Sequence, residues 1–270
     1  MLIVKVPGIN GLGKTKGCEK AGNAVLESLK EIFSNEQGKP IDVRLLDLEE
    51  IHLDNSDLER ANHLIYKNAL EIFEIQPKTI FLGGDHSVSY SLGKAFFDYC
   101  RASGKNPCLI VFDAHPDCMP AVPEDSKTPT HEEWLRSLVK YGFPAENILL
   151  VGIRNSDPSE TEFLSKNRIR VIGMNQLMED IADTCDTIME FSNQKELYLS
   201  LDIDVVDPAF APATGYLEPG GLTSRQFLYL IQRLNRVKSL KAIDIVEINS
   251  EKTGAETTVK LGSKILSEFT

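Results

Sequence analysis

The sequence predicts an α/β fold in which a mostly parallel sheet of about eight strands lies between two layers of helices. Short apolar runs alternate with longer amphipathic segments along all 270 residues. Most of these runs are continuous and rich in Val, Ile and Leu, which is typical of parallel strands covered on both faces. Because neither a linker nor a repeat interrupts the alternation, we expect one three-layer α/β/α domain over residues 1–270. A closed eight-fold barrel is the competing topology.

The strands and helices are predicted from the spacing of the apolar residues. The predicted strands cover residues 2–6, 42–46, 79–82, 108–113, 148–153, 169–172, 196–202 and 240–247. Helices are predicted from the capping-box sequence Ser56-Asp-Leu-Glu59 to about Ile75, from Ser224 to about Leu234 and from Thr257 to about Glu268. Ligand sites in parallel sheets gather at the carboxyl ends of the strands, so the residues that follow each strand are the candidates for a functional site.

The composition limits the classes of function and the location. The net charge of −11 disfavours non-specific binding to nucleic acid, because phosphates are repelled, and it suits a cationic substrate. The five cysteines form no CxxC pair, which indicates free thiols in a reducing compartment. No apolar stretch approaches the roughly 18 residues of a membrane span, so we expect a cytoplasmic protein without membrane contact.

Histidine and aspartate cluster directly after three of the predicted strands. The segments are GGDHS (83–87), DAHPD (113–117) and DID (202–204). Residues two apart in an extended segment point the same way, so Asp113 can face one site with His115, and Asp202 with Asp204. Together the three segments supply His86, Asp113, His115, Asp117, Asp202 and Asp204.

These six side chains predict a binuclear metal site. Four carboxylates and two imidazoles at close quarters cannot all stay charged and unpaired, and divalent cations resolve the conflict. The mixed ligands suit Mn²⁺, Zn²⁺, Fe²⁺ or Ni²⁺, and the oxygen majority favours Mn²⁺. Six ligands are too many for one catalytic ion with an open position, so we expect two ions that share bridging carboxylates. Any single one of these residues is more simply explained as a cap or turn former, but the set from three strand ends favours metal binding.

The longer motifs around these residues resemble a known family. GGDHS (83–87), DAHPD (113–117) and SLDIDVVDPAFAPATG (200–215) look like the three signature motifs of the ureohydrolases, the arginases and agmatinases. Segments 17–20 and 244–249 also fall where family members have similar residues. The resemblance implies an arginase-like fold and hydrolysis of a guanidino compound to urea and an amine. It also implies two Mn²⁺ per chain and a homo-trimer or hexamer.

The resemblance assigns the metal ligands residue by residue. Asp113 and Asp202 would bridge the two ions. One Mn²⁺ would be held by His86, Asp113, Asp117 and Asp202, and the other by Asp113, His115, Asp202 and Asp204.

The same resemblance implies roles for residues outside the metal set. Glu247, at the end of the eighth predicted strand, would pair with the substrate guanidinium, and Thr214 would contact the substrate. A water that bridges two cations loses a proton near pH 7, and the resulting hydroxide would attack the guanidinium carbon. Asp117 would help to transfer that proton. His131 matches a proton-shuttling histidine of the family, although Glu132 follows it where relatives often have Gly.

The identity of the guanidino substrate stays open. Segment 152–160 resembles the arginase segment that contacts the substrate α-amino group, through Asp157 and Glu160. Arginases usually hold the α-carboxylate with polar residues soon after the second motif, whereas residues 118–123 contain Met119, which cannot do so; Lys127 is the nearby cation. Segment 207–225 looks more like agmatinases. Agmatine is slightly favoured over arginine, and other guanidino acids remain candidates.

Two other classes of function compete with the hydrolase. Residues 8–15 fit the phosphate-loop pattern GxxxxGK[ST] between a strand and a helix, which suggests an NTPase. That interpretation leaves the histidines and aspartates of the three motifs unexplained, whereas the hydrolase leaves only a Gly-rich turn unexplained. The second alternative is a catalytically inactive relative with a regulatory role, which the complete set of metal ligands disfavours.

Overall fold

The computed structural model describes residues 1–121 and 126–270. Within these residues the strands form one parallel sheet with the order β2-β1-β3-β8-β7-β4-β5-β6. Strands β2 and β6 are open edges, so the α/β fold is confirmed and the closed barrel is wrong. The strands are β1 Leu2–Val6, β2 Asp47–Glu50, β3 Thr79–Gly83, β4 Pro107–Phe112, β5 Ile148–Ile153, β6 Arg170–Gly173, β7 Glu196–Asp202 and β8 Leu240–Val246.

Helices cover both faces of the sheet, as the continuous apolar strands predict. The helices of the described residues are α1 Ala21–Leu29, α2 Leu58–Ile75, α3 Val88–Ala102, α4 Trp134–Tyr141, α5 Pro158–Asn167, α6 Met174–Glu179, α7 Ile181–Phe191, α8 Ser224–Leu234 and α9 Ala255–Phe269. One hydrophobic core lies between the sheet and α1, α6, α7, α8 and α9, and the other between the sheet and α2, α3, α4 and α5. None of these helices combines the length and the apolar character that crossing a membrane requires.

Two predicted elements are corrected by the structure. The strand predicted at residues 42–46 is wrong, because Val43–Leu45 forms a 3₁₀ turn and β2 follows at Asp47–Glu50. The sequence of β2 is DLEE and its side chains are exposed, since this edge strand pairs only with β1, so no apolar pattern marks it.

The N-terminus of α2 also differs from the prediction. Asp57, not Ser56, caps the helix, and its carboxylate accepts a hydrogen bond from the Arg60 backbone N–H at 3.1 Å. Ser56 instead donates its hydroxyl hydrogen bond to Asp54 at 2.7 Å, because it lies in the turn before the helix.

The strand order brings the predicted motifs to one edge of the sheet. Strands β3, β8, β7 and β4 are consecutive neighbours, although they are far apart in the chain. All four are parallel, so their carboxyl ends lie side by side. The residues after them, including the three histidine and aspartate motifs and Glu247, therefore converge on one rim.

Candidate metal centre and adjoining cavity

The first ligand group is centred on the His86 imidazole. Its Nδ1 lies 3.1 Å from Asp113 Oδ2, 2.9 Å from Asp117 Oδ2 and 3.2 Å from Asp202 Oδ2. His86, Asp113 and Asp202 are buried. Nδ1 of His86 and Oδ2 of Asp113 have no hydrogen-bond partner among the described residues, so both are free to coordinate an ion.

The second ligand group shares Asp113 with the first. His115 Nδ1 lies 2.9 Å from Asp204 Oδ2 and 3.7 Å from Asp113 Oδ1. The ligand atoms of His86, Asp113 and Asp202 lie within 4.8 Å of one another, and so do those of Asp113, His115 and Asp204. Asp202 belongs to the first group, and its Oδ1 accepts the Asp204 backbone N–H at 2.8 Å. Asp113 therefore belongs to both groups, which supports its predicted role as a bridge between two ions. The bridging role of Asp202 stays a prediction.

The charges of this cluster fit divalent cations. Burial raises the pKa of Asp113 and of Asp202 well above the usual carboxyl value, and neighbouring aspartates raise both further. Burial also raises the pKa of Asp204, but the hydrogen bond and charge of His115 lower it more. The cluster therefore holds excess negative charge that either protons or metal ions must balance, and its oxygen and nitrogen donors suit transition metals.

Residues behind His86 fix the orientation of its ring. Nε2 lies 2.9 Å from Ser200 Oγ, and that hydroxyl donates to Asp244 Oδ1 at 2.8 Å. Asp244 also accepts the Tyr198 hydroxyl at 2.5 Å. The serine hydroxyl uses its hydrogen on Asp244, so it accepts from Nε2–H, and Nδ1 presents its lone pair to the aspartates.

Asp85 is a buried residue of the site that was not among the predicted site residues, although it lies within the first motif. It accepts hydrogen bonds from the Asn10 backbone N–H at 2.7 Å and the Thr15 hydroxyl at 2.7 Å. The Ser87 hydroxyl donates to it at 2.5 Å. Asn10 and Thr15 of the phosphate-loop-like segment thus already donate hydrogen bonds to a protein carboxylate. The following helical turn begins only at Cys18, three residues after Thr15, and both findings disfavour nucleotide binding.

Arg154 is a second residue whose role the sequence did not reveal. Its guanidinium donates to the backbone carbonyl of Asp204 at 2.7 Å and to that of Glu218 at 2.6 Å. Its positive charge also lowers the pKa of Asp204, after the larger effect of His115. Arg154 therefore joins the segment after β7 to the end of β5, a contact between residues about fifty positions apart.

A cavity of about 400 Å³ opens next to the two ligand groups. Met119 contributes to its wall, and residues 122 and 123 of the same stretch lie outside the described residues. Lys127 does not line it; its exposed ammonium lies 3.9 Å from Glu59. The predicted site residues in the lining are His115, Asp117, His131, Asp157, Glu160, Asp202, Asp204, Thr214 and Glu247.

Glu247 and His131 form a hydrogen-bonded pair in this cavity. Glu247 Oε1 lies 3.1 Å from His131 Nδ1 and accepts the His86 backbone N–H at 3.0 Å. Burial lowers the pKa of His131, but the hydrogen bond and charge of Glu247 outweigh it and raise the pKa to about 9. Nε2 of His131 is buried without a hydrogen-bond partner among the described residues. His131 is thus an interior residue, and the hydrogen bond to Glu247 leaves Nε2 for a ligand.

Asp157 and Glu160 line the cavity while they also cap α5. Asp157 accepts the Ser159 backbone N–H at 2.8 Å, and Glu160 accepts that of Asp157 at 3.0 Å. Glu160 further accepts the Cys118 backbone N–H at 2.9 Å. Both carboxylates therefore hold the local structure, and their predicted substrate contacts stay predictions.

The chain is similar to known proteins in sequence and in fold. A family model described as "Arginase family" matches residues 1–270. The chain is 30% identical to "Arginase" of Schizosaccharomyces pombe over 216 residues, which cover 72% of this chain and 64% of that relative, just under two thirds of its length. It is 28% identical to "Agmatinase" of Bacillus subtilis over 231 residues, which cover 84% of this chain and 75% of that relative. The crystal structure of formimidoylglutamase from Bacillus subtilis superposes with a TM-score of 0.87 at 23% identity, over 99% of this chain and 85% of that chain, which shows a common fold.

Proposed function

This chain belongs to the arginase family, and we propose that it is a ureohydrolase that splits agmatine or arginine into urea and an amine with two Mn²⁺ ions. The main support is the pair of metal-ligating groups that share Asp113, next to a cavity lined by Glu247. Relatives named arginase and agmatinase both match the chain, which supports the reaction class and leaves the substrate open.

The proposed metal ligands keep the assignment that the motifs imply. When bound, the two cations neutralise the carboxylates and activate water as the nucleophile. One ion would be held by His86, Asp113, Asp117 and Asp202, and the other by Asp113, His115, Asp202 and Asp204.

Glu247 is proposed to hold the guanidinium of the substrate. Its carboxylate is buried, and Oε2 lies 4.0 Å from Cys18 Sγ, a weak donor. A planar guanidinium makes paired, charge-assisted hydrogen bonds with such a carboxylate. The guanidinium would thereby be oriented with its carbon toward the ligand groups and shielded from bulk water.

His131 is proposed to supply a proton to the leaving nitrogen. Because Nδ1 is committed to Glu247, Nε2 is the atom that can face the substrate. As the carbon–nitrogen bond breaks, the departing nitrogen takes this proton and leaves as the amine, while the oxygen of water stays with urea. Asp117, whose Oδ2 also accepts the Trp134 indole N–H at 2.9 Å, is proposed to assist in moving the proton of the nucleophile.

The test combines metal analysis with a urea assay on Mn²⁺-loaded protein. We expect two ions per chain and urea from agmatine or arginine. Asp113→Asn is expected to lose both ions in large part and to lower kcat/KM by at least about a thousandfold, because the shared ligand is weakened. Asp98→Asn is the matched control: Asp98 lies on α3 outside the site and accepts the Tyr66 and Tyr141 hydroxyls at 2.8 and 2.6 Å, which an amide oxygen can still do. Fewer than one ion per chain at saturating Mn²⁺, or no urea from any guanidino compound, would contradict the proposal.

The location and the assembly of the protein are further parts of the proposal. We propose a cytoplasmic enzyme that assembles as a homo-trimer or hexamer, by analogy with the family. Size-exclusion chromatography with light scattering tests the assembly, and a monomer at micromolar concentration would contradict it.

A further inference from the structure

The mouth of the cavity carries two residues that the proposed reaction does not use. We propose that Glu132 and Tyr216 form a distal subsite for a positively charged group at the far end of the substrate. This inference rests on the proposed function. It names the substrate class as a guanidine that carries a second cation and no carboxylate at that end.

Tyr216 lies across the cavity between its two histidines. Its ring centroid is 5.7 Å from that of His131, with the planes inclined by 23°. It is 6.1 Å from that of His115, at 65°. The residue is 37% exposed and lines the cavity, with its ring stacked on His131 and the Lys14 ammonium 5.6 Å from the ring centroid. Glu247 and Tyr216 line the same cavity, so the chain of a substrate whose guanidinium reaches Glu247 can contact this ring.

Glu132 holds the ring in place and adds a charge beside it. The Tyr216 hydroxyl donates to Glu132 Oε1 at 2.8 Å, which leaves Oε2 available to a ligand. The side chain of Glu132 is 35% exposed and lines the cavity. A carboxylate next to an aromatic face is a suitable environment for an ammonium or guanidinium group, through ion pairing and cation–π attraction.

The charges around the cavity favour the same class of ligand. In the described part of the chain, its lining contains carboxylates and no lysine or arginine. Metal ions would balance the aspartates of the ligand groups. His131 lies between the two remaining carboxylates, with Nδ1 3.1 Å from Glu247 Oε1 and Nε2 3.9 Å from Glu132 Oε1, and it offsets one of their two negative charges. Oε2 of Glu132 is the carboxylate oxygen that faces neither His131 nor the Tyr216 hydroxyl in these contacts. A substrate carboxylate at this point would be repelled by Glu132, and His131, the histidine beside it, already pairs with Glu247. Lys14 is exposed and lies 5.6 Å from the Tyr216 ring centroid, but it does not line the cavity.

Two buried polar atoms indicate independently that a polar ligand belongs in this cavity. Thr214 Oγ1 and His131 Nε2 have no hydrogen-bond partner among the described residues, and both residues line the cavity. Buried polar atoms are rarely left unpaired in folded proteins. A guanidinium held by Glu247 can donate to Thr214, and the remainder of the substrate can then reach Tyr216 and Glu132, which line the same cavity.

The first experiment compares substrates on the Mn²⁺-loaded protein. The compounds are agmatine, arginine, 4-guanidinobutyrate and butylguanidine, which differ only in the far end of the chain. We expect kcat/KM for agmatine to exceed that for butylguanidine by at least about tenfold, because the ammonium of agmatine forms a partly exposed ion pair with Glu132. We expect a larger difference from 4-guanidinobutyrate, because its carboxylate forms no such ion pair and is repelled by Glu132. A preference for arginine or 4-guanidinobutyrate would overturn the distal subsite while leaving the ureohydrolase intact. No urea from any of the four would instead overturn the proposed function.

The second experiment assigns the preference to the two residues. Glu132→Gln retains an acceptor for Tyr216 and removes the charge, so we expect it to raise KM for agmatine about tenfold more than KM for butylguanidine, with similar changes in kcat for both. Tyr216→Phe keeps the ring and is expected to cost less than Tyr216→Ala. Glu59→Gln, which removes an equal charge from an exposed site near Lys127, is the matched control. Equal effects of Glu132→Gln on both compounds, or no effect on either, would overturn the assignment.

Discussion

At the scale of single residues, the site holds two non-glycine residues in the left-handed backbone region. Asp117 has a φ of 49° and Glu247 a φ of 64°. Such conformations cost free energy and persist where the surrounding structure stabilises them. Here the Glu247 backbone N–H donates to the Gly84 carbonyl at 2.9 Å, and the Leu135 backbone N–H donates to the Asp117 carbonyl at 3.1 Å. These contacts hold the backbone conformations in which the Glu247 carboxylate, after β8, and the Asp117 carboxylate, after β4, face the site.

Replacement of Glu247 separates substrate binding from metal binding. Glu247→Gln keeps the shape of the side chain and removes its charge, so we expect metal content to stay at the wild-type level. We expect kcat/KM to fall by about a hundredfold to a thousandfold, because a buried charge-assisted pair with the guanidinium is lost. Plasma mass spectrometry and the urea assay measure the two effects. A parallel loss of metal would show that Glu247 supports the ligand groups and not the substrate.

At the scale of secondary-structure elements, the loop after β3 passes very close to the loop after β1. A Cβ atom added to Gly84 would lie 1.9 Å from the Gly8 carbonyl oxygen, which is too short for any side chain. The Asp85 backbone N–H donates to the same carbonyl at 3.1 Å. Glycine at position 84 therefore permits the approach that places Asp85 among its donors and His86 among the aspartates.

Substitution at Gly84 tests this approach. Gly84→Ala is expected to lower the free energy of unfolding by about 1–3 kcal/mol, since the two loops must move apart. It is also expected to weaken metal binding, because His86 follows two residues later. Urea denaturation and metal titration measure these changes. Gly173→Ala is the matched control: its nearest neighbour would be the Ile153 carbonyl at 3.3 Å and its φ is −71°. Equal behaviour of the two variants would contradict the role given to the close approach.

At the scale of the whole molecule, Glu36 joins an irregular segment to the helical layer. Its two carboxylate oxygens accept hydrogen bonds from the Arg225 guanidinium at 2.7 and 2.9 Å, and Gln232 on α8 donates to it at 2.9 Å. The Arg225 hydrogen bonds are the largest cause that lowers the pKa of Glu36, to about 2. The ionised form is thus favoured by folding.

The stability of the fold should depend on pH through this carboxylate. Because the pKa is lower in the folded than in the unfolded chain, the stabilisation is present above about pH 4.5 and is lost as the pH falls toward 2. Glu36→Gln is expected to lower the free energy of unfolding at pH 7 by about 0.5–1 kcal/mol, a small effect because the group is partly exposed. The difference from wild type is expected to shrink at pH 3. Urea midpoints between pH 3 and 7 check this, and a difference that grew at low pH would contradict it.

The amino-acid sequence by itself determined which segments form most of the sheet and which side chains are candidates to bind metal. Apolar runs marked seven strands, and most of these are apolar almost throughout because a strand covered on both faces is buried along its length. The aspartates and histidines after three of them indicated metal chemistry, because such charges require cations as partners. The edge strand Asp47–Glu50 was not predicted, because its exposed side chains carry no apolar pattern.

Only the tertiary structure decided which of these segments meet and which further residues complete the site. The order β3-β8-β7-β4 places His86, Glu247 and Asp113 at one rim, and the apolar patterns of the four strands are alike, so no local signal encodes that order. The contacts of Arg154 with the segment after β7 and of Tyr216 with Glu132 join residues far apart in the chain. Such contacts exist only once the sheet has assembled, because folding, and not spacing along the chain, brings their atoms within hydrogen-bonding distance.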